Sequence, residues 1–529
     1  MPTFELTALD IAMVLAYVVV IIGIGFYFSQ DQESTGDYFL AGRSLTWSII
    51  GFSLFASNMS TSSLVGMAGE AYAYGIAVYN YEWMAALVLI IFATFFLPFY
   101  LRAQVFTMPE FLERRYDVRS RYYFSVVTIT GNIIIDTAGA LYAGALIIQI
   151  IYPGFPMWQS VVILALLSGA YTIAGGLKAV VYTDAIQAVL LIGASIVVSI
   201  IAFNEVGSWQ AVTDVTPPEM LSLVRPIDDP VLPWPGLITG VFLLGFYFWG
   251  TNQFMVQRTL GAKNLDHGRW GAVFAGFLKV PVLFIMVLPG TFARSLYGPE
   301  AITKADMVFP TMLFDLLPVG VRGLILAALV AAIMSSVDST LNSASTLVTM
   351  DFIKKWKPNA SNKTLVIAGR IVTGVFMVLA AAWAPVILDF PSLWQYLQTV
   401  LAYLSPPVVA CFAIGLFWTR ANRDSAFWGL VVGHLAAALL AVAEWQISGF
   451  SVHFLYIPAI LFVVSGLTIA VVSWNGEAPD PATVEAYTWN PTHIERELEH
   501  MATFPWYKNF FVQSAGVLAM IVVVFILFW

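Results

Sequence analysis

Long apolar segments follow one another along almost the whole chain. Windows of about 20 apolar residues, enough for a helix to span the hydrocarbon core of a bilayer, predict fourteen membrane-spanning helices. They lie near residues 9–28, 46–67, 77–101, 121–151, 157–174, 180–203, 235–257, 268–293, 309–351, 366–386, 394–418, 425–444, 453–474 and 509–528. The first lacks a basic region before it and a small-residue cleavage site after it, which indicates a retained span. The pattern predicts an all-α polytopic membrane protein.

Two of these segments contain a polar or glycine-rich interruption. The second, SIIGFSLFASNMSTSSLVGMAG, has a polar centre at residues 57–63, and the seventh has Gly240, Gly245 and Gly250 beside aromatic residues. Interrupted helices at matching places in two halves of a chain indicate a transporter whose site lies near the bilayer midplane.

If these two segments are equivalent, the core consists of two five-helix repeats. The predicted parts of the chain are 1–45 (first helix and a cytoplasmic loop), 46–203 (first repeat), 204–234 (extracellular loop), 235–418 (second repeat), 419–474 (two peripheral helices), 475–508 (a polar cytoplasmic linker with room for a surface helix) and 509–529 (last helix).

The positive charges predict the orientation. With both termini outside, the cytoplasmic connections are 30–45, 102–121, 175–179, 258–269, 352–370, 419–424 and 475–508, and they contain 19 of the 24 Lys and Arg residues, as the positive-inside rule expects. The segment 309–351 fits this arrangement as one long helix.

Composition narrows the class of protein further. Charged residues make up 11% of the chain and hydrophobic residues 59%, whereas soluble domains carry about 25% charged residues. Most of the charge lies in loops, so the net charge of −8 gives no sign of a nucleic-acid partner. The single cysteine, Cys411, rules out an internal disulfide. We expect a multi-pass plasma-membrane protein (the inner membrane in a bacterium), monomeric or weakly homo-oligomeric in the lipid bilayer.

The ninth segment carries an unusual set of polar residues. On a helix, six of them fall within an arc of about 100°: Ser335, Asp338, Ser339, Asn342, Thr346 and Thr349. Lipid cannot satisfy these groups, so they must face other helices or water. The hydroxyls could simply join helices, but an acid such as Asp338 within a span is by default a functional candidate.

Four more charged residues lie within predicted spans. Lys279 lies well inside the eighth, where a cation costs about 2.5–3.5 kcal/mol unless it faces protein or an aqueous cavity, and Pro281 can loosen the helix there. Glu82 is either functional or an interfacial acid, and Asp184 is either functional or an acid at a helix N-terminus, favoured by the helix dipole. Asp136 is expected to be buried, with no partner assigned.

Aromatic residues flank the two interrupted spans. Tyr81 and Trp83 are more typical of packing or interface anchors, whereas Tyr247, Phe248 and Trp249 lie beside the break in the seventh span, which favours a ligand-facing role.

Features of an enzyme are weak in this sequence. The five His residues show no metal-ligand spacing, and no phosphate-binding glycine motif indicates a nucleotide-driven pump. We therefore expect no catalytic residues and, for active transport, an ion gradient as the energy source.

Ten stretches distributed over nearly the whole chain carry a family resemblance: DYFLAGRSLTW, SLFASNMS, YEWMA, TMPEFLERRY, GGLKAVVYTDAIQ, LPWPG, NQFMVQRTLGAKN, LKVPVLFIMVLPG, SSVDSTLNSASTLVTMD and YLSPP. In these stretches the chain resembles the sodium/solute symporter family, in particular its sodium–glucose cotransporter branch. The resemblance implies a leucine-transporter-like core, an inverted five-plus-five helix repeat with extra helices at both ends.

The resemblance also implies ion sites. A sodium site falls on the carbonyls of Ala56, Met59 and Ala332 and on the hydroxyls of Ser335 and Ser336. A second sodium site, present in some relatives, falls on Asp184, Asp338 and Ser339 together with Ser335. Two carboxylates there favour a second cation or a proton on one of them.

The family's sugar-binding positions fall on Asn58, Glu82, Lys279 and Gln398. The position of the family's inner stacking gate, often a Tyr, is occupied here by Phe248 and Trp249.

Two positions depart from the sugar-carrier pattern. Ser63 stands where sugar carriers have Gln or His, and Gly245 stands where they have Asn or Thr. The loss of two hydrogen-bonding side chains enlarges the pocket and leaves the identity of the sugar open, because rejection of analogues relies on buried polar pairs.

These observations lead us to expect a sodium-coupled symporter that takes up a hexose or polyol, such as glucose, galactose or inositol, by alternating access. The first alternative is a sodium symporter for a carboxylate, amino acid or vitamin, with Lys279 as the partner of a carboxylate. The second is a transporter-like sensor or channel module.

Overall fold

The computed structural model describes residues 6–28, 35–152, 154–390 and 393–529, and within helices it leaves the side chains of 25, 26, 28, 35, 61, 62, 150, 151 and 167–176 undescribed. In the described residues the regular structure is helical and no β-strand occurs. This agrees with the predicted all-α fold.

The first half of the described chain forms nine helices. They are α1 (Ala8–Phe28), α2 (Thr35–Leu40), α3 (Trp47–Asn58), α4 (Thr61–Tyr74), α5 (Ile76–Ala103), α6 (Met108–Arg115), α7 (Val118–Gln149), α8 (Met157–Val206) and α9 (Trp209–Val215).

The second half contains fourteen more helices within the described ranges. They are α10 (residues 234–251), α11 (Gln253–Leu260), α12 (Leu265–Lys279), α13 (Leu283–Tyr297), α14 (Val308–Leu316), α15 (Val321–Trp356), α16 (Asn362–Asp389), α17 (Leu393–Leu404), α18 (Pro406–Phe417), α19 (Arg423–Gln446), α20 (Ile457–Asn475), α21 (Pro481–Tyr487), α22 (Thr492–Ala502) and α23 (Phe510–Leu527).

Eight helices in the described residues are long and apolar enough to cross a membrane, and two bent pairs bring the number to ten. The bent pairs are α12 with α13, at 43°, and α17 with α18, at 49°. The pair α3 and α4, which a break divides, is not among these ten. The membrane class of the protein is therefore clear, while the count of fourteen stays a prediction.

The predicted single helix over 309–351 is wrong. The structure has two helices there, α14 and α15, separated at residues 317–320. Gly320 adopts a positive φ of 87°, which a residue with a side chain rarely adopts, and Pro318 precedes it. A helix of nine residues extends only about 14 Å, so α14 does not add a second span.

Two spans predicted at 157–174 and 180–203 form one continuous helix, α8. The predicted connection at 175–179 begins within the segment whose side chains lie outside the described residues, and the start of the predicted loop 30–45 lies outside the described residues altogether.

Both predicted interruptions of transmembrane helices are present. α3 ends at Asn58 and α4 begins at Thr61, where the Ser60 hydroxyl accepts a hydrogen bond from the Ser63 amide at 3.3 Å. α10 ends in a π-helical turn, and Asn252 leaves the helical conformation (ψ 129°) before α11 starts. The side chains of Ser60 and Asn252 cap the helices that follow them and so satisfy amides that lipid could not.

Close helix contacts keep this core compact. Gly290 on α13 lies against the Ala68 carbonyl of α4, where a Cβ atom would approach to 2.1 Å. Only a glycine fits at this contact, so α4 and α13 are held at backbone distance.

Polar contacts also hold the linker 475–508, which forms the helices α21 and α22. Glu497 on α22 pairs with the buried Arg269 of α12, and the Trp489 amide donates to the Leu416 carbonyl of α18 at 2.8 Å. The linker therefore ties α12 to α18.

The helix α15 occupies the centre of the molecule and packs against α1, α8, α16 and the π-helical part of α7, Asn132–Thr137. Its start is fixed by Asp10 of α1, whose carboxylate accepts hydrogen bonds from the Gly320 and Gly323 amides at 2.9 Å each. A residue from another helix thus caps α15 and fastens α1 to it.

We expect Asp10→Ala to destabilise the protein, because the buried amide of Gly323 and the partly buried amide of Gly320 would lose their acceptor. An unsatisfied buried group costs about 1–3 kcal/mol, so thermal unfolding of detergent-solubilised protein, followed by size-exclusion chromatography, should shift to lower temperature. Glu485→Ala removes an exposed acid from α21 and serves as the control. Equal unfolding temperatures for the two variants would contradict the capping role.

Candidate functional site

The carboxylate of Asp184 lies at the centre of a buried polar cluster. Its oxygens accept hydrogen bonds from the hydroxyls of Ser53 at 2.6 Å, Ser57 at 3.1 Å and Ser335 at 2.5 Å. These residues belong to α3, α8 and α15, so one carboxylate joins three helices. Asp184 lies in the middle of α8, and the interpretation as an acid at a helix N-terminus is wrong.

Arg258 completes this cluster. Its Nη2 lies 3.0 Å from the Asp184 carboxylate, its Nε donates to Ser53 at 2.8 Å, and its guanidinium also donates to the Ser339 hydroxyl and the Phe254 carbonyl. Both charged side chains are almost completely buried. A buried ion pair of this kind is stable only when hydrogen bonds satisfy its remaining donors and acceptors, which is the case here.

Sequence reasoning missed Arg258 because it was counted among the cytoplasmic loop charges at 258–269. The signal that could have found it is local: in GTNQFMVQRTLG, α11 continues to Leu260, so its last turn carries the arginine inside the protein.

The residues proposed for a first sodium ion lie at the end of α3, in the α3–α4 break and on α15. The Ser60 amide donates to the Asn58 carbonyl at 2.9 Å, so the Ala56 carbonyl loses the partner it would have in a continuous helix. On α15, the Ser336 hydroxyl donates to the Ala332 carbonyl at 3.0 Å, which places two proposed ligands side by side. Carbonyl and hydroxyl oxygens are suitable ligands for a hard alkali cation.

Two of the residues named for a second sodium ion already share a cation. Asp184 and Ser339 both contact the Arg258 guanidinium, and Ser57 lies 3.2 Å from Ser339 between hydroxyl oxygens. Asp338 is fully buried on the same helix. The structure brings Asp184, Ser335 and Ser339 together, with Arg258 among them.

The polar residues of α15 extend around the helix rather than along one face. Besides the cluster at Asp184, Thr340 contacts Thr137 at 2.6 Å and Ser343 accepts from Asn132 at 3.0 Å, both on α7. The helix is surrounded by protein, so hydroxyls on several faces serve to join helices.

Beside the break in α3–α4 lies an inner cavity of about 110 Å³, well above the roughly 10–15 Å³ that one water occupies. It is lined by polar residues from six helices and by aromatic residues that include Phe248 and Trp249 of α10. Of the predicted substrate residues, it brings together Asn58, Ser63, Glu82, Gly245, Phe248, Trp249 and Gln398. Ser336, a proposed sodium ligand, also lines this cavity.

Lys279 is buried next to this cavity and bound to two of its residues. Its Nζ donates to the Glu82 carboxylate at 2.7 Å and to the Asn58 side-chain oxygen. The same Nζ lies 5.1 Å from the centre of the Trp249 ring, within range of a cation–π contact. Glu82 is buried, so the alternative of an interfacial acid is wrong for it.

The two departures from the sugar-carrier pattern look different in three dimensions. The Ser63 hydroxyl donates to the Asn58 carbonyl at 2.9 Å and so supports the helix break. A Cβ at Gly245 would meet only Val88 and Met84, at 3.6 and 3.9 Å, so the glycine leaves room that a larger side chain would fill.

Asp136, for which no partner was predicted, also lines the inner cavity. It lies in the π-helical part of α7, where the extra residue per turn turns its side chain towards the cavity. The cavity therefore has carboxylates at both Glu82 and Asp136.

Comparisons with known proteins agree with this geometry. Residues 38–433 match the model of the sodium:solute symporter family. The chain is 37% identical to sodium/glucose cotransporter 4 of Danio rerio, over 96% of this chain and 84% of the relative. It is 36% identical to sodium/glucose cotransporter 1 of Oryctolagus cuniculus, over 88% of this chain and 78% of the relative.

Solved structures show the same fold. A sodium-coupled sialic acid symporter in a substrate-bound outward-open state superposes with a TM-score of 0.80 at 22% identity, over 90% of this chain and 99% of that one. A nucleobase-cation-symport-1 family transporter in a closed conformation gives 0.55 at 14% identity, over 87% and 99%. The predicted leucine-transporter-like fold is confirmed.

We expect Arg258→Met to destabilise the protein strongly, because it leaves the Asp184 carboxylate buried without its cation. Breaking a buried pair in this way costs about 3–5 kcal/mol. The double variant Arg258→Met with Asp184→Asn removes both charges and should recover part of the loss, as measured by thermal unfolding of the solubilised protein.

The matched control is Arg119→Met, since Arg119 pairs with Asp117 and Asp424 at the surface, where an ion pair contributes only about 0–1 kcal/mol. If the single and double variants at Arg258 unfold at the same temperature, the packing of the side chain and not its charge holds the cluster.

Proposed function

This chain belongs to the sodium:solute symporter family, and we propose that it takes up a neutral hexose or polyol together with sodium ions that enter down their gradient. The relatives named as sodium/glucose cotransporters support a sugar as the solute. The polar inner cavity, built next to the helix break, supports the same assignment.

The observation that carries the choice of solute is the ion pair between Lys279 and Glu82. Because the lysine charge is already compensated at 2.7 Å, an anionic solute would meet no unpaired cation there and would have to displace Glu82. A neutral solute with several hydroxyl groups instead finds acceptors on Glu82, a donor on Lys279 and both on the amide of Gln398. This arrangement favours a sugar or polyol over the carboxylate alternative.

Sodium would bind where the α3–α4 break meets α15. We propose the carbonyls of Ala56, Met59 and Ala332 and the hydroxyls of Ser335 and Ser336 as its ligands. An ion held between the two helices stabilises the arrangement that contacts both, and its release removes that stabilisation. Binding of this kind shifts the equilibrium between conformations by its difference in affinity for them.

The second cation is proposed to be Arg258 rather than a second sodium ion, since the guanidinium already satisfies Asp184 and Ser339. Asp338 is then a separate carboxylate on the same helix, α15.

We also propose that both termini lie outside the cell, on the basis of the Lys and Arg distribution, and that the two repeats run from 46 to 203 and from 235 to 418.

Uptake into proteoliposomes tests this function directly. We expect labelled D-glucose, D-galactose or myo-inositol to accumulate only when sodium is higher outside, and labelled carboxylates, amino acids and vitamins to show no such uptake. Lys279→Ala should abolish concentrative uptake of the transported solute, since it removes a hydroxyl donor and leaves Glu82 buried without its partner.

The control for the Lys279 variant is Lys357→Ala, which changes an exposed lysine after α15. Sodium-driven uptake of a carboxylate, or sugar flux that follows only its own gradient, would contradict the proposal.

We further expect Ser336→Ala to raise the sodium concentration that gives half-maximal uptake by about tenfold or more, because a ligand interaction with a charged group is worth about 1.5–3 kcal/mol. The matched control on the same helix is Ser345→Ala, whose hydroxyl donates to the Gly369 carbonyl away from the cavity. An unchanged sodium dependence for Ser336→Ala would remove that residue from the proposed ion site.

A further inference from the structure

A large basic cavity lies between α6, the first turn of α7 and the last turns of α15. It has a volume of about 670 Å³ and shares none of its described lining residues with the inner cavity. Since α7 and α15 are membrane-spanning helices, their ends place this cavity at the membrane surface, on the side predicted to be cytoplasmic. Its lining includes four cations and two acids: Arg114, Arg121, Lys354, Lys355, Glu110 and Glu113.

Three of the four cations form ion pairs within the protein. The pairs are Arg114 with Glu110 at 2.8 Å, Lys355 with Glu113 at 2.6 Å and Arg121 with Asp351 at 2.6 Å. Arg121 also contacts the second oxygen of Glu113. Three acids thus compensate three cations. The fourth cation, Lys354, is exposed and takes part in no ion pair with a described residue.

Arg43 is a second cation without an acid, at the edge of the same cavity. Its guanidinium donates to the side-chain oxygen and the backbone carbonyl of Gln104, which are uncharged. Its Cζ lies 5.9 Å from the centre of the Phe106 ring, and the Lys354 Nζ lies 5.5 Å from the same centre. Cation–π contacts at exposed sites are weak, so both charges remain available to an anion.

The backbone beside this cavity is strained. In the described part of the chain, the non-glycine residues with a positive φ are Ala41 (50°), Arg43 (51°) and Gln104 (53°), and the two that bind each other, Arg43 and Gln104, border the cavity. A residue with a side chain rarely adopts this conformation, and such strain is concentrated at binding and functional sites. The strain therefore indicates that the position of Arg43 serves a ligand.

The sequence after α15 indicates where an anionic ligand comes from. Four lysines lie within ten residues at the end of this span: Lys354, Lys355, Lys357 and Lys363. A cluster of this kind next to the cytoplasmic end of a span attracts anionic lipids. Trp356 lies among them with 71% of its surface exposed, as is typical of a residue at the membrane interface.

We propose that the basic cavity binds the phosphate group of an anionic phospholipid from the cytoplasmic leaflet. The Lys354 ammonium and the Arg43 guanidinium contact the phosphate oxygens, for which a guanidinium has a matching geometry. The ion-paired cations hold the surrounding wall in place. Because Arg43 precedes α3 and Lys354 lies at the end of α15, the bound phosphate joins the two helices that carry most of the proposed sodium ligands.

Native mass spectrometry of the delipidated full-length protein tests this site. The probes are dioctanoyl phosphatidylglycerol, which is anionic, and dioctanoyl phosphatidylcholine, whose choline cancels the phosphate charge. We expect the first phosphatidylglycerol to bind at least about tenfold more tightly than the first phosphatidylcholine, because each of two cations contributes about fivefold. Lys354→Gln should weaken phosphatidylglycerol binding about fivefold and leave phosphatidylcholine binding unchanged.

The matched control is Lys357→Gln, which removes the same charge from the same surface at an exposed residue that does not line the cavity. Lys354→Arg keeps the charge and should bind phosphatidylglycerol like the wild type. An equal loss of affinity in Lys354→Gln and Lys357→Gln would reduce the effect to attraction by surface charge and overturn the site. Equal binding of the two lipids by the wild type would also overturn it.

Inorganic phosphate tests a soluble source of the same chemical group. We expect phosphatidylglycerol to raise the unfolding temperature of the solubilised protein, whereas sodium phosphate has no more effect than sodium chloride of the same ionic strength. Stabilisation by inorganic phosphate that Lys354→Gln removes would assign the cavity to a soluble phosphate compound and overturn the lipid as its ligand. These measurements need neither a sodium gradient nor a solute, so their outcome is independent of the proposed function.

Discussion

The absence of water from the bilayer interior governs this structure, because every polar group placed there must find its partner within the protein. The buried cluster around Asp184 is the clearest result. Three hydroxyls and a guanidinium converge on one carboxylate, and they come from α3, α8, α11 and α15. The same cluster that neutralises two charges thereby fixes four helices relative to one another, and it lies next to the break where α3 gives way to α4.

The sequence predicted the parts of this arrangement that depend on one segment at a time. The polar centre of the second span, the polar character of α15 and the misfit of Lys279 in an apolar helix are all local properties, and each corresponds to a feature of the structure. The family resemblance predicted the fold, and most of the substrate-binding residues that it implied line the inner cavity.

The pairing of charges could not be predicted in the same way. Lys279 and Glu82 are separated by 197 residues, and only the three-dimensional fold brings them together. Arg258 was assigned to a loop because a count of positive charges cannot distinguish a solvated arginine from one turned inwards at the end of a helix. The break before α15 was missed for another reason: apolar residues continue through it, and the positive φ of Gly320 has no hydrophobic signature.

The linker 475–508 has a mechanical consequence for transport. It is anchored to α12 through Arg269 and Glu497 and to α18 through Trp489 and Leu416, so it bridges these two helices. If one of those helices tilts against the other during a transport cycle, the linker must stretch or bend by the same amount. Its stiffness then sets an upper limit on the amplitude of the motion. The linker therefore limits the rate of transport, although it lies outside the proposed ion and solute sites.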